Sequence, residues 1–108
     1  MARPRTTPRT VEHPELSEVS LQQAMEALAD PVRRMVVRQL ARDGVKGCGS
    51  FDTPVSDSTL THHFNVLREA GVIRQHYRGT TKLNELREAD LESRFPGLLT
   101  AVVTAPEV

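Results

Sequence analysis

Apolar side chains recur at helical spacing in several stretches of this chain, with one strand-like segment late in the sequence. The pattern predicts a mainly α domain with a small β-hairpin. Leu21, Ala24, Met25 and Leu28 mark the stripe of a first helix. Asp30-Pro31 opens a second, because an aspartate caps the first turn and a proline at the next position sacrifices no helical hydrogen bond. Val32, Val36 and Leu40 line one face of that helix, with Met35 beside them, and aliphatic residues at this spacing read as core. Leu60, Phe64 and Leu67 form the stripe of a third helix over residues 56 to 70, with Ser56 or Asp57 as its cap. Gly71 stops it, since a residue without Cβ enters the left-handed region cheaply. Val72-Ile73 opens a strand, Arg78-Gly79 makes a turn, and Thr80-Thr81-Lys82-Leu83 returns as its partner. Asp90 to Phe95 is helical, Pro96 interrupts, and Leu98, Leu99, Val102 and Val103 give a last short apolar stripe.

The polar arc of the third helix changes the picture from packing to chemistry. Ser58, Thr61, His62, Asn65 and Arg68 lie opposite its apolar stripe. Short hydrogen-bonding groups followed by a cation suit base edges and phosphates in a major groove. The hairpin that follows has a basic tip. Charge gives mixed guidance: Lys plus Arg and Asp plus Glu number 14 each, so no overall basic excess advertises a nucleic-acid partner. Its distribution is more favourable. Residues 56 to 82 hold Arg68, Arg74, Arg78 and Lys82 against Asp57 and Glu69, whereas residues 85 to 95 hold four acids against two arginines.

Three pieces together resemble the winged helix-turn-helix regulators of the arsenic-repressor family, ArsR/SmtB. They are Ala27-Leu28-Ala29-Asp30-Pro31-Val32-Arg33-Arg34, the run from Ser58 to Ile73 and the Arg78-Gly79 hairpin, and the likeness spans about residues 20 to 95. The resemblance implies a transcriptional regulator, a homodimeric repressor on a palindromic operator, whose terminal helices form the dimer interface. In that frame residues 1–15 are a flexible basic arm, 16–104 the winged helix-turn-helix domain and 105–108 a tail. Thr59, Thr61, His62 and Asn65 are then expected at bases or nearby phosphates, and Ser56 and Ser58 at the DNA backbone. Arg68 is expected at a phosphate, and Arg78, Thr80, Thr81 and Lys82 on the flanking backbone or minor groove. The arginines of the basic arm offer a further minor-groove contact. Two copies would set their reading helices about 34 Å apart.

The chain departs from the family pattern between Asp43 and Val55. Gly44, Gly47, Gly49 and Pro54 leave room for hardly one turn, around Ser50 to Thr53, where the family places a full supporting helix. The paired cysteines by which such a helix holds a soft metal are missing; Cys48 alone offers no chelate. It reads as an incidental loop cysteine or, with Lys46 nearby, as a redox-sensitive thiol. His62 and His63 point about 100° apart on a helix and cannot share an ion. The tail after His76 has no histidine, so the family's other metal site is absent too; His13 joining Glu92 of a second copy is the remaining combination. No metal or cofactor is expected.

Arg33, Arg34 and Arg38 read as a solvated surface, or one of them as a phosphate contact. One cysteine excludes an intrachain disulfide, no apolar run approaches the roughly 20 residues that span a bilayer, and the basic N-terminus lacks an apolar segment behind it, so a cytoplasmic protein is expected. The alternative function is a winged module that binds protein rather than DNA. Catalysis would need a nucleophile with a base and an oxyanion site, and no such arrangement is visible.

Overall fold

The computed structural model describes residues 10–108; the arm's Arg3, Arg5 and Arg9 lie outside them. A 3-10 turn at Leu16–Glu18 leads into α1 (Leu21–Leu28) and α2 (Pro31–Asp43). A short strand β1 (Lys46–Gly47) and a second 3-10 turn (Cys48–Ser50) connect to α3 (Asp57–Glu69). The hairpin β2 (Ile73–Arg78) and β3 (Thr81–Leu86) follows, then α4 (Glu88–Arg94) and α5 (Leu98–Thr104). The three strands form one antiparallel sheet in the order β1-β3-β2. None of the described helices is long and apolar enough to cross a membrane.

Local chemistry sets the helix ends. Asp30 accepts hydrogen bonds from the amides of Val32 and Arg33, and Ser56 accepts one from Thr59. Each satisfies N–H groups that have no partner within the helix. Gly71 takes φ +73°, and a Cβ there would press on the Leu16 side chain at 3.1 Å, so both backbone and packing demand glycine at the end of α3. The core joins Ala24, Ala27 and Leu28 to Val36, Val37 and Leu40, Leu60, Phe64 and Leu67, Val72 and Ile73, and Leu91, Phe95 and Leu99.

Several details differ from the expectations. The inner face of α1 is Ala24, Ala27 and Leu28, while Leu21 and Met25 remain 52% and 49% exposed. Val37 is fully buried in α2 although Val32 is only half-buried, which rotates the buried stripe by about one residue. The hairpin turn is Gly79-Thr80, since Arg78 still pairs with Thr81. The connector's single turn sits at 48–50, two residues earlier than expected, and Lys46-Gly47 pairs with Leu83 and Asn84 as an unforeseen third strand.

That connector is braced without a supporting helix. The buried amide of Gln39 donates to Asp52 O at 2.7 Å and accepts from Asp52 N at 2.9 Å, pairing with the chain as a strand would. Phe51 meets Phe64 edge to face, with centroids 5.2 Å apart, and Lys46 lies over the Phe51 ring. One buried amide and one ring therefore do on α2 and α3 what a helix would otherwise do.

The ends of the domain are fastened too. His13 Nε2 accepts from Gln75 N at 2.9 Å, and Arg87 donates to Pro14 O, so residues 13 and 14 are tied to the domain. At the other end Arg34 and Arg38 both pair with Glu107, which holds its carboxyl down at about 2. Arg38 also donates to the carbonyls of Val102 and Ala105. These arginines, expected on a solvated face, tie α5 and the tail to α2.

Candidate nucleic-acid interface

Alternation of burial along α3 separates a packing face from a reading face. Leu60, His63, Phe64 and Leu67 are buried, whereas Ser56, Ser58, Thr59, Thr61 and His62 are exposed and Asn65 and Arg68 half-buried. The exposed set is therefore available to a duplex. Part of its hydrogen-bonding capacity is already used: Ser56 Oγ caps the helix and donates to Thr59 Oγ1, and Thr61 Oγ1 donates to Asp57 O at 3.0 Å. The hydroxyl oxygens keep lone pairs, and each can still accept. His62 is exposed, its ring centroid 5.8 Å from that of His63.

The wing brings Arg78, Thr80 and Thr81 to an exposed tip. Lys82 lies cross-strand from Tyr77, its ammonium 5.7 Å from the ring centroid. Arg74, on the same strand as Arg78, is drawn instead to Glu85 and Asp90, so its charge is partly neutralised.

Arg68 was expected at a phosphate. It turns inward, donating to Asn65 Oδ1 and Gln75 Oε1, both at 2.9 Å. Gln75 Nε2 donates to Asn84 Oδ1 at 2.7 Å, and Asn84 Nδ2 donates to Lys46 O and to Cys48 Sγ. This polar chain under the sheet was missed in the sequence, where neither Gln75 nor Asn84 was singled out. Alternation did hold the signal: both fall on the inward side of their strands, opposite each other in register. Cys48 is half-buried and packed against the core rather than loose in a loop, and Lys46 reaches Asp43.

His63 is held between helices. Arg33 donates to His63 Nδ1 at 3.1 Å and to the carbonyls of Ala27 and Glu26, joining α1, α2 and α3. Because a guanidinium only donates, Nδ1 carries no proton and the ring is neutral. Burial, with Arg33 and His62 nearby, lowers its pKa against the opposing pull of Asp30. His13 is lowered as well, by burial and then by Arg87, Arg68 and Arg74; being bonded to β2, it is committed within its own chain. Among the described residues no cluster of three or more His, Cys, Asp or Glu forms a metal site.

Both histidines have folded-state pKa values below the unfolded one, so the unfolded chain takes up protons first as the pH falls. Their stabilisation is complete above about pH 6.5 and is lost on acidification through the folded pKa. Urea midpoints should therefore decline from pH 7.5 to 5.5, and the decline should be shallower in His63→Gln.

A helix with an exposed polar face, followed at once by a basic β-hairpin and packed on a preceding helix, defines a winged helix-turn-helix. Residues 28–76 match a family described as a helix-turn-helix domain. The chain is 32% identical over 80 residues to the uncharacterised HTH-type transcriptional regulator YceK of Bacillus subtilis (strain 168), covering 71% of this chain and 80% of that protein. It is 33% identical over 57 residues to the uncharacterised HTH-type transcriptional regulator MJ1325 of Methanocaldococcus jannaschii, covering 51% of this chain and 64% of that one. The crystal structure of an ArsR family transcriptional regulator shares the fold, with a TM-score of 0.61 at 24% identity over 78% of this chain and 84% of that chain. The chain belongs to the HTH-type transcriptional regulators and has the ArsR-type winged fold. It is a regulator of the DNA-binding class, not an enzyme.

Proposed function

We propose that this regulator is a cytoplasmic repressor that binds a palindromic operator as a homodimer, each copy laying α3 in a major groove. The observation that carries the proposal is the run of exposed Ser58, Thr59, Thr61 and His62 with half-exposed Asn65, flanked by the exposed Arg78, Thr80 and Thr81 of the wing. Hydroxyl, imidazole and amide groups read base edges, while wing cations grip the flanking phosphates. Dimerisation is supported by the apolar Leu21 and Met25, one turn apart and about half-exposed on α1, and by Leu98 and Val102, which line one groove with Ala101 and Pro106. A chain of this size gains stability by covering such surface.

A two-protomer complex on one duplex, seen by analytical ultracentrifugation with labelled operator, is the expected stoichiometry; one protomer per site would count against the dimer. Contact classes separate by mutation. Lys82→Ala should weaken all sequences alike and reduce the slope of log affinity against log salt by about one per protomer. Asn65→Ala should instead alter which sequences are preferred. Repression itself is tested by a reporter under the chain's own promoter, whose output should rise when the regulator is deleted.

A further inference from the structure

We infer that Asn65 is preset as a hydrogen-bond donor toward DNA and therefore reads guanine, with Arg68 as the positioning residue that sets this polarity. The inference rests on α3 entering the major groove as proposed above.

The argument begins with what an arginine lacks. A guanidinium has five N–H donors and no acceptor, so the Asn65 atom 2.9 Å from Arg68 must be the carbonyl oxygen, whichever way the amide is drawn. Arg68 is held in turn. The same terminal nitrogen donates to Gln75 Oε1 at 2.9 Å, and its side chain is only 19% exposed. Gln75 cannot turn its amide over, because its nitrogen donates to Asn84 Oδ1 at 2.7 Å. Asn84 cannot either, since its nitrogen donates to the Lys46 carbonyl, which only accepts. With Gln75 2% and Asn84 0% exposed, water is not at hand to replace a lost partner. A donor-only group at one end and an acceptor-only group at the other thus fix the direction of every bond between them.

The consequence appears on the reading face. Oδ1 of Asn65 is drawn toward the guanidinium, which lies against the sheet at Gln75, and Nδ2 turns outward. Among the described residues no buried side-chain nitrogen or oxygen lacks a partner, so Nδ2, which bonds to no protein group, meets solvent. Asparagine usually reads adenine with both ends of its amide, accepting from N6 and donating to N7. Here one lone pair of the accepting end is taken by Arg68, and the positive charge beside it disfavours approach of the N6 amino group. Guanine offers N7 and O6, two adjacent acceptors with no donor between them. The outward NH2 fits that edge.

Selection of binding sites from a random double-stranded library, by wild type, Asn65→Ala, Asn65→Asp, Arg68→Met and Arg68→Lys, tests this. The motif position whose preference Asn65→Ala erases should be guanine in the wild type, favoured over adenine on the order of tenfold. Asn65→Asp presents only acceptors and should move that position to cytosine, whose N4 amino group donates. Arg68→Met frees Oδ1 and should level guanine with adenine, whereas Arg68→Lys still donates to Oδ1 and should keep guanine ahead. Thermal melting checks that each variant is folded. If Arg68→Met melts below the assay temperature, Asn65→Asp, at a half-exposed position, decides alone, and an unchanged guanine position there overturns the inference. Adenine at the Asn65-dependent position, or undiminished guanine preference in folded Arg68→Met, overturns it too while leaving DNA reading intact. Enrichment of no duplex by the wild type overturns both.

Discussion

Phe64→Ala should lower the stability of the domain by about 3–5 kcal/mol, the usual cost of emptying a buried aromatic site. Phe64 is 3% exposed on α3 and stacks edge to face on Phe51. Removing the ring creates a cavity under the reading helix and releases the connector, which depends on that contact because it has no supporting helix. Domains of this kind carry about 5–15 kcal/mol in total, so a third or more of the margin would go. Urea unfolding followed by circular dichroism should show a much lower midpoint, and DNA binding should fail at temperatures where the wild type still binds. Phe64→Leu, which refills most of the space, should recover most of both. A stability loss under about 1 kcal/mol for the alanine variant would mean that Phe51 and the connector brace α3 independently of this ring.

The second large effect is expected at Asn84, an uncharged residue in the middle of a strand. Asn84→Leu keeps the branching at Cγ but removes an acceptor for Gln75 and a donor to Lys46 O, leaving one buried and one part-buried polar group unpaired. Each such orphan costs about 1–3 kcal/mol, so a loss of about 3 kcal/mol is expected. Replacing Gln75 and Asn84 together by leucine removes the orphaned Gln75 amide but costs Arg68 an acceptor, so the pair should cost less than the sum of the two single changes. A double-mutant cycle of urea midpoints measures that coupling. Strict additivity would indicate that the two amides do not depend on each other.

Much of this architecture was written locally. The Asp30-Pro31 start, the Ser56 cap, the Leu60, Phe64 and Leu67 stripe and the Gly71 stop each follow from rules that act within a few residues, and each stands where periodicity put it. The exposed face of α3 follows from the same stripe. Where three-dimensional neighbours decide, the sequence was less legible. Leu21 and Met25 satisfied helical spacing for an inward stripe, but the small residues Ala24 and Ala27 allow closer packing and take the inside. The arginines of α2 looked like solvated cations because their partners, Glu107 and the carbonyls of Val102 and Ala105, lie more than 60 residues away. The acceptor of Arg68 at Gln75 was not foreseen, because it is supplied by a strand that comes after the helix. Short β1 gave no pattern at all, two residues being too few for alternation to register.

All of this converges on one surface, the polar face of α3 beside the basic wing, and its reality as a DNA-reading surface is measured most directly by titration. Fluorescence anisotropy with the duplex upstream of the chain's own gene, and with a scrambled duplex of equal length, should be repeated across a range of salt. The expected result is an affinity for both probes that falls linearly on logarithmic axes as salt rises, with the upstream duplex bound more tightly throughout and the advantage erased by Thr61→Ala, His62→Ala and Asn65→Ala together. Salt-independent binding, or none to any double-stranded probe, would contradict the account.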